Sequence, residues 1–134
     1  MDNASLIKTA ESVLNRCTDS HGRLHGDVGA AVLGKNGKVY TGVCVDTPSW
    51  GLCAERNALA AMITDREYNF QKIVAVWRDD KTGKLHALPP CGHCRQFMRD
   101  ISEENMEAEV LLGRNKSEPL KNLIPYSEWP EPIE

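Results

Sequence analysis

The sequence contains no long apolar run and no basic leader followed by an apolar segment. A helix that crosses a membrane needs about 20 consecutive apolar residues, and no such stretch occurs in the 134 residues. A secretory signal begins with a positively charged segment that runs into a short apolar one, and the first residues do not have that pattern. We therefore expect neither a membrane span nor a secretory signal.

The sequence also lacks blocks of basic residues. Its 16 Lys and Arg are outnumbered by 19 Asp and Glu, so the formal net charge is -3, and the sequence pI is about 5.8. Proteins that bind polynucleotides concentrate positive charge on one face to meet the phosphates. This composition predicts no polynucleotide partner, and it favours a small-molecule substrate.

The length of the chain limits its domain organisation. A chain of 134 residues is long enough for one ordinary core and too short for two. We predict a single domain over residues 1–134. Its C-terminal tail, residues 126–134, contains two prolines beyond Pro125, and it is predicted to be irregular.

Cysteine is present in an odd number, five residues, which argues against a framework of paired disulfides. Three of them fall in two short motifs, Cys53-Ala54-Glu55 and Pro90-Cys91-Gly92-His93-Cys94. The other two, Cys17 and Cys44, are predicted to be reduced thiols. Such a set indicates a reducing compartment, and we expect the protein to be cytoplasmic.

The two motifs carry the elements of a catalytic zinc site. Three thiolates leave the fourth tetrahedral position open to water, which is the layout of catalytic rather than structural zinc. Both motifs begin stretches with helical apolar spacing, so Cys53, Cys91 and Cys94 should lie in first helical turns, where the helix dipole lowers a thiol pKa. Glu55 is then placed to accept a proton from the water and to pass it on. Arg56 would offset the negative charge of the thiolates.

In this order and with these flanks, Arg56 and Arg95-Gln96, the motifs resemble those of the cytidine deaminase family, in its small all-cysteine branch. The resemblance extends over most of the chain. It implies one zinc ion per subunit and a zinc-dependent hydrolase that converts the ring amine of a cytosine-type nucleoside, cytidine, deoxycytidine or an analogue, to a carbonyl and releases ammonia. It also implies a homotetramer in which each active site is built from more than one subunit.

The substrate-binding residues depart from the family pattern. Ordinary cytidine deaminases hold the ribose hydroxyls with an Asn and a Glu at the end of the second strand, and the aligned residues here are Cys44 and Asp46. Trp50 is expected beside the site, where its ring could stack on a base, and the backbone of Ala54 could contact the ring. Trp129 could cover the site of a neighbouring subunit. The loop length and the terminal aromatic residues resemble the blasticidin S deaminase subgroup, so a deaminase of blasticidin S or of another aminated heterocycle stays an alternative.

The order of the predicted elements indicates the fold. A helix over residues 6–17, ending near His21-Gly22, is followed by strands at 28–33 and 38–45, which the Asn36-Gly37 turn joins as a hairpin. Helices are predicted at 53–63 and 91–101, strands at 73–77 and 110–112, and a short last helix capped by Ser117. Strands that alternate with helices predict a three-layer α/β/α sandwich with a mixed five-stranded sheet, and the resemblance implies the same fold.

Other interpretations of the cysteines remain open at this point. A closed structural zinc site would take Cys44 or one of the four histidines as its fourth ligand, but it leaves Glu55 unexplained. A redox pair at Cys91 and Cys94 would not need Cys53. A non-catalytic zinc domain that binds a nucleoside or a partner chain is the alternative from another functional class.

Overall fold

The structure, a computed structural model, describes residues 1–128 and 130–134. It contains three α-helices, α1, α2 and α3, at Asn3–Ser12, Ala54–Thr64 and Gly92–Ile101. The strands β1 to β8 lie at Cys17–Thr18, Leu24–His25, Val28–Gly34, Val39–Val43, Phe70–Arg78, Leu85–Leu88, Glu109–Gly113 and Lys116–Pro119. Two short 3-10 helices lie at Glu103–Glu107 and Leu120–Asn122. Within these described ranges, no helix is long and apolar enough to cross a membrane.

One mixed sheet forms the middle of the molecule. Its strand order is β4-β3-β5-β7-β8, and β6 pairs with β5 beside this path. The pair β5–β7 is parallel, with α3 in the connection between the two strands, and the other pairs are antiparallel. The sheet is mixed, as predicted, but it has six strands instead of the predicted five, because β6 also pairs with β5.

Side chains alternate along the central strands and supply two separate cores, because successive residues of a strand point to opposite faces. Ala31 and Leu33 of β3 pack with α1, whereas Ala30 and Val32 pack with α2 and α3. Helix α1 therefore covers one face, and both helices that carry the cysteine motifs cover the other. The three-layer α/β/α sandwich predicted from the sequence is confirmed.

Two glycines let the helices approach the sheet closely. A Cβ on Gly29 of β3 would lie 2.5 Å from the carbonyl oxygen of Ala10 in α1, and a Cβ on Gly42 of β4 would lie 2.6 Å from the backbone nitrogen of Ala58 in α2. Real Cβ atoms do not approach backbone atoms so closely. The positions of α1 and α2 thus depend on the absence of a side chain at one residue of each facing strand.

The prediction for the first helix was wrong at its C-terminal end. Helix α1 ends at Ser12, and Asn15 donates its N–H to the carbonyl of Gly26 over 2.9 Å instead of continuing the helix. The chain then forms the small β1–β2 hairpin, in which Cys17 faces His25. Leu14 and Cys17 continue the apolar spacing of the helix beyond its last residue. That spacing does not specify that the backbone of Asn15 pairs with Gly26, and the predicted helix was therefore too long.

The prediction for the C-terminal region was also partly wrong. Ser117 does not cap a helix but lies in β8, opposite Leu111 of β7, and its hydroxyl is 3.4 Å from a Glu109 carboxylate oxygen. Only the 3-10 turn Leu120–Asn122 remains of the predicted helix. The tight connection after Gly113 returns the chain to the sheet edge, where pairing satisfies the backbone of residues 116–119.

Candidate metal centre and side pocket

The three motif cysteines come from the starts of two helices. Cys53 is the N-cap residue of α2, Cys91 is the N-cap residue of α3, and Cys94 is the third residue of α3. Ahead of Cys53, Val45 and Leu52 exchange two backbone hydrogen bonds of 2.8 Å, which closes the intervening loop and directs the chain into α2. The loops that precede α2 and α3 thus bring the N-termini of these two helices to the same place.

The sulfur atoms lie at distances that suit one metal ion. Cys53 Sγ is 3.8 Å from Cys91 Sγ, and Cys91 Sγ is 3.5 Å from Cys94 Sγ. Ligands bound tetrahedrally at about 2.3 Å from zinc would lie about 3.8 Å apart. All three sulfur atoms fall within 4.8 Å of one another. The donor set fits zinc.

The cluster has no fourth side-chain ligand among the residues that the structure describes. Cys44, the candidate fourth cysteine, donates its thiol hydrogen to Asp27 instead. His25 is bonded to Asp19 and to the backbone of Asp46. The His93 ring lies 6.0 Å from the Trp50 ring. The arrangement does not support the closed structural zinc site.

Cys91 and Cys94 of the cluster have opposite pKa shifts. Burial opposes ionisation of Cys91, but the backbone N–H of Cys94, the neighbouring thiols and the backbone N–H of His93 outweigh it, so the pKa of Cys91 is lowered. Burial raises the pKa of Cys94, and the nearby Glu55 carboxylate and cysteines raise it further. Three negative charges crowded together repel one another, and a divalent cation removes that repulsion. Metal binding at this cluster should therefore release protons.

Glu55 lies in the first turn of α2, and its side chain is 6% exposed. Burial raises the pKa of this carboxyl group, and the neighbouring Arg56 only partly opposes the shift. Within residues 1–128 and 130–134, no hydrogen bond holds the carboxylate to another side chain. A buried carboxyl group with a raised pKa, opposed only by its own backbone N–H and by Arg56, is suited to accept and to donate a proton.

Arg56 contacts the cluster directly. Its Nη2 lies 3.7 Å from Cys53 Sγ. Burial lowers the pKa of its guanidinium, but the thiols of Cys53 and Cys94 outweigh that effect and raise it. Its Nε is buried without a hydrogen-bond partner among the described residues. The guanidinium thus lies against the cluster, and its role in offsetting thiolate charge stays a prediction.

Arg95 does not contact the thiols. Its Nε donates to the carbonyl of Pro90 over 2.7 Å, and its Nη1 donates to the carbonyl of Leu123 over 2.9 Å. Arg95 therefore ties the residue before Cys91 to the segment that follows the last 3-10 turn.

An open pocket of about 410 Å³ adjoins the cluster; we call it the side pocket. Three residues predicted to bind substrate line it, Cys44, Asp46 and Trp50, and Trp50 is 79% exposed. Cys53 and Arg56 form the wall shared with the cluster. Ala54, the fourth residue predicted to bind substrate, is 1% exposed and is not among the residues that line the pocket. Trp129 lies outside the described residues.

Sequence reasoning missed two side chains near the pocket, Asp27 and His25. Asp27 lines it and accepts a 2.8 Å hydrogen bond from Cys44 Sγ. His25 Nδ1 accepts the backbone N–H of Asp46 over 3.0 Å, and its Nε2 is 2.8 Å from an Asp19 carboxylate oxygen. Neither residue stands in a recognisable motif, and their proximity to the pocket follows only from the pairing of β3 with β4.

Comparison with known proteins gives a consistent result. The family model described as "Cytidine and deoxycytidylate deaminase zinc-binding region" matches residues 2–109. A cytidine deaminase of Halalkalibacterium halodurans is 37% identical over 115 residues, which are 84% of this chain and 80% of the relative. A probable cytidine deaminase of Dictyostelium discoideum is 40% identical over 83 residues, 60% of this chain and 51% of the relative. The chain thus spans about half the length of this second relative. A cytidine deaminase from Shewanella halifaxensis is 28% identical over 79% of this chain, and the match covers 33% of that relative.

Solved structures agree with the sequence matches. The crystal structure of cytidine deaminase from Burkholderia pseudomallei superposes with a TM-score of 0.73 at 26% identity, covering 94% of this chain and 98% of that one. The crystal structure of cytidine deaminase from Mycobacterium tuberculosis superposes with a TM-score of 0.73 at 26% identity, covering 94% and 96%.

Proposed function

This chain belongs to the cytidine and deoxycytidylate deaminase family, and we propose on that premise that it hydrolytically deaminates a cytosine-type nucleoside. In this reaction a water oxygen bonds to the ring carbon that carries the amine, the carbon–nitrogen bond breaks, and ammonia leaves. The observation that carries the proposal is the convergence of Cys53, Cys91 and Cys94 beside the buried carboxyl group of Glu55.

The proposed roles follow from the chemistry of each side chain. Cys53, Cys91 and Cys94 would hold one zinc ion. When bound, zinc supplies a Lewis acid that makes a water molecule easier to deprotonate. Glu55 takes that proton and delivers it to the ring nitrogen, and it then transfers the second proton of the same water, from the hydroxyl now bonded to the ring carbon, to the departing amine. Arg56 offsets the charge of the thiolates.

The side pocket is the proposed binding place for the sugar and one face of the ring. Asp46 lies in its wall, and the Trp50 ring is exposed there, so Trp50 can stack on a base. The backbone of Ala54, at the start of α2, is the proposed contact to the ring. The substrate in this proposal is a small nucleoside, and no polynucleotide is involved.

The assembly and the location of the protein are parts of the same proposal. We propose a homotetramer of single-domain subunits over residues 1–134, with residues 126–134 as an irregular tail. The exposure of Trp50 and of Tyr126 supports contact between copies, since large exposed aromatic side chains mark interaction surfaces. The cytoplasm is the proposed compartment because the cluster needs three reduced thiols. Sedimentation equilibrium would give the mass of the assembly.

Substitution of Glu55 by Gln tests the mechanism. The variant keeps the shape of the side chain and all three cysteines, so it should bind one zinc ion per chain. It cannot carry a proton, and general acid–base catalysis is worth about 100- to 10,000-fold in rate. We expect kcat on cytidine to fall at least 1,000-fold (about 4 kcal/mol), as measured by ultraviolet absorbance, with zinc measured by atomic absorption.

The control for this test is Glu107→Gln, since Glu107 is an exposed carboxylate paired with Lys121 away from the site. It should have the activity of the unmodified protein. Near-normal turnover by Glu55→Gln would contradict the role of Glu55. The same assay with cytidine, deoxycytidine, cytosine and blasticidin S separates nucleoside deamination from the alternative deamination of blasticidin S. No turnover of any of these by the zinc-loaded protein would contradict the proposed function.

A further inference from the structure

The side pocket contains one carboxylate that the proposed mechanism does not use, Asp27. It directly precedes β3 and is half-buried. The segment around it is tied to the end of β4 by three contacts. Cys44 Sγ donates to Asp27 Oδ1 over 2.8 Å, Cys44 N–H donates to the carbonyl of Val28 over 3.1 Å, and Gly26 N–H donates to the carbonyl of Cys44 over 3.1 Å. Asp27 is therefore held in a defined position at the pocket wall.

The hydrogen bond between Cys44 and Asp27 leaves Cys44 little capacity for a ligand. A thiol has one hydrogen to donate, and its sulfur is a weak acceptor. Burial and the neighbouring Asp27 raise the pKa of Cys44, so the thiol keeps that hydrogen at neutral pH. A carboxylate has two oxygens and about four lone-pair positions. On Asp27 one of these positions accepts the hydrogen of Cys44. The available acceptor in this wall is thus on Asp27.

The charge of the pocket opposes an anionic ligand. Two carboxylates line it, Asp27 and Asp46, and Arg56 is its one basic residue among the described ones. The guanidinium of Arg56 is directed to Cys53. A phosphate in the pocket would meet two carboxylates and a single guanidinium that already contacts Cys53, whereas a hydroxyl group would find ready acceptors.

Two arginines border a neighbouring cavity that Asp27 also lines, Arg16 and Arg78. Both are already paired with carboxylates. Arg16 Nη1 lies 3.3 Å from Asp80, and Arg78 forms an ion pair with Glu11. These arginines do not reverse the preference of the side pocket for a ligand without negative charge.

We propose that Asp27 is a specificity-determining residue whose carboxylate, rather than the Cys44 thiol, accepts hydrogen bonds from the sugar hydroxyls of the substrate. Together with Asp46 it selects unphosphorylated nucleosides over nucleotides. This inference rests on the proposed function and assigns its recognition of the sugar to a named residue. The family description covers both cytidine and deoxycytidylate deaminases, so the choice between nucleoside and nucleotide is a property of this chain's own pocket.

Steady-state kinetics of the zinc-loaded protein tests the inference with cytidine, cytidine 5′-monophosphate and free cytosine. Asp27→Ala should raise KM for cytidine about tenfold or more, as expected for loss of a hydrogen bond to a charged group, while kcat changes less than about threefold. Its constants for cytosine, which has no sugar, should not change. Asp27→Asn keeps an oxygen that can accept from Cys44 but removes the negative charge. It should therefore raise kcat/KM for the monophosphate relative to kcat/KM for cytidine.

Glu107→Gln is again the control, since Glu107 is an exposed carboxylate paired with Lys121 that lines neither cavity, and it should leave all constants unchanged. Equal losses on cytidine and cytosine in Asp27→Ala would overturn the inference, and so would efficient turnover of the monophosphate by the unmodified protein.

If no cytosine compound is turned over, the proposed function fails, and a binding experiment then tests the role of Asp27. Calorimetry with uridine, uridine 5′-monophosphate and uracil should show uridine binding that Asp27→Ala weakens; no binding, or equal binding by both proteins, would overturn the role of Asp27.

Discussion

Asn105 is the one polar residue other than Glu55 in the described core, and it is 0% exposed. Its Oδ1 accepts the N–H of Phe70, and its Nδ2 donates to the carbonyls of Tyr68 and Met98. The side chain thus joins the end of α3 to the start of β5. A buried amide with every bond satisfied fixes these segments, because each group would be costly to leave unpaired.

Asn105→Ala should lower the free energy of unfolding by about 2 kcal/mol or more, since the buried backbone groups of Phe70 and Met98 lose this partner at about 1–3 kcal/mol each. Urea denaturation followed by circular dichroism measures this. Asn122→Ala is the control, because Asn122 is exposed and bonds only Glu118. A loss as small as that of the control would show that water replaces the amide contacts.

Asp19 organises the β1–β2 hairpin. Hydrogen bonds from the His25 ring and from the backbone N–H groups of Arg23 and His21 lower the pKa of its carboxyl group to about 2. The unfolded value is near 3.8, so ionised Asp19 stabilises the fold above about pH 4. That contribution disappears as the pH falls toward 2.

Nuclear magnetic resonance can follow the titration of the Asp19 carboxyl carbon. We expect a midpoint near 2 in the unmodified protein and a clearly higher midpoint in His25→Ala, since the largest cause of the shift is removed. The Asp65 carboxyl group, whose pKa is lowered by hydrogen bonds from Tyr40 and Lys38, should titrate alike in both proteins. An unchanged Asp19 midpoint in the variant would assign the shift to the backbone N–H groups instead.

At the scale of elements, the position of α2 decides where Cys53 and Glu55 lie. The helix packs on β4 at Gly42, where a Cβ would come within 2.6 Å of Ala58 N and 2.7 Å of Asn57 Cβ. Asn57 Nδ2 also donates to the carbonyl of Val43 over 3.1 Å. Close packing and one side-chain bond therefore hold the helix that starts with the first metal ligand.

Gly42→Ala should push α2 away from the sheet. We expect a loss of about 1–3 kcal/mol in the free energy of unfolding, the usual range for overpacking, together with weaker zinc binding measured by competition with a chromogenic chelator. Gly113→Ala is the control, because a Cβ there would lie 3.6 Å from the nearest atom. Unchanged zinc affinity in a destabilised Gly42→Ala would mean that α2 can shift without disturbing the cluster.

At the scale of the whole molecule, zinc would join two helices that make separate contacts with the sheet. Cys53 begins α2, and Cys91 and Cys94 belong to the start of α3. A ligand that binds only the folded state stabilises it by mass action, by about 4 kcal/mol at 1,000 times its Kd. Metal binding also requires deprotonated thiols, so this stabilisation should weaken as the pH falls.

Removal of zinc by a chelator should lower the melting temperature by about 10 °C. Cys94→Ala should contain no zinc and should melt at one temperature with or without chelator. Cys17→Ala, at an exposed cysteine outside the cluster, should keep the full difference. A chelator effect of the same size in Cys94→Ala would show that the metal is bound elsewhere.

The sequence alone predicted the family, the sandwich with its mixed sheet, and the zinc cofactor, and these predictions are confirmed by the comparisons and the fold. The roles of Glu55, Arg56 and the substrate-binding residues stay predictions. Such features are local: helix starts, strand alternation and the order of Cys, Glu and Pro are each read within a few neighbouring residues.

Only the tertiary structure decided how the side pocket is built. Cys44 was predicted to contact substrate, but its thiol is bonded to Asp27, 17 positions away in sequence. Likewise α1 ended early because Asn15 pairs with Gly26, and residues 116–119 became a strand because β7 presented a free edge. The physical reason is the same in each case: a polar group takes the partner that folding brings within hydrogen-bond distance, and spacing along the chain does not specify that partner.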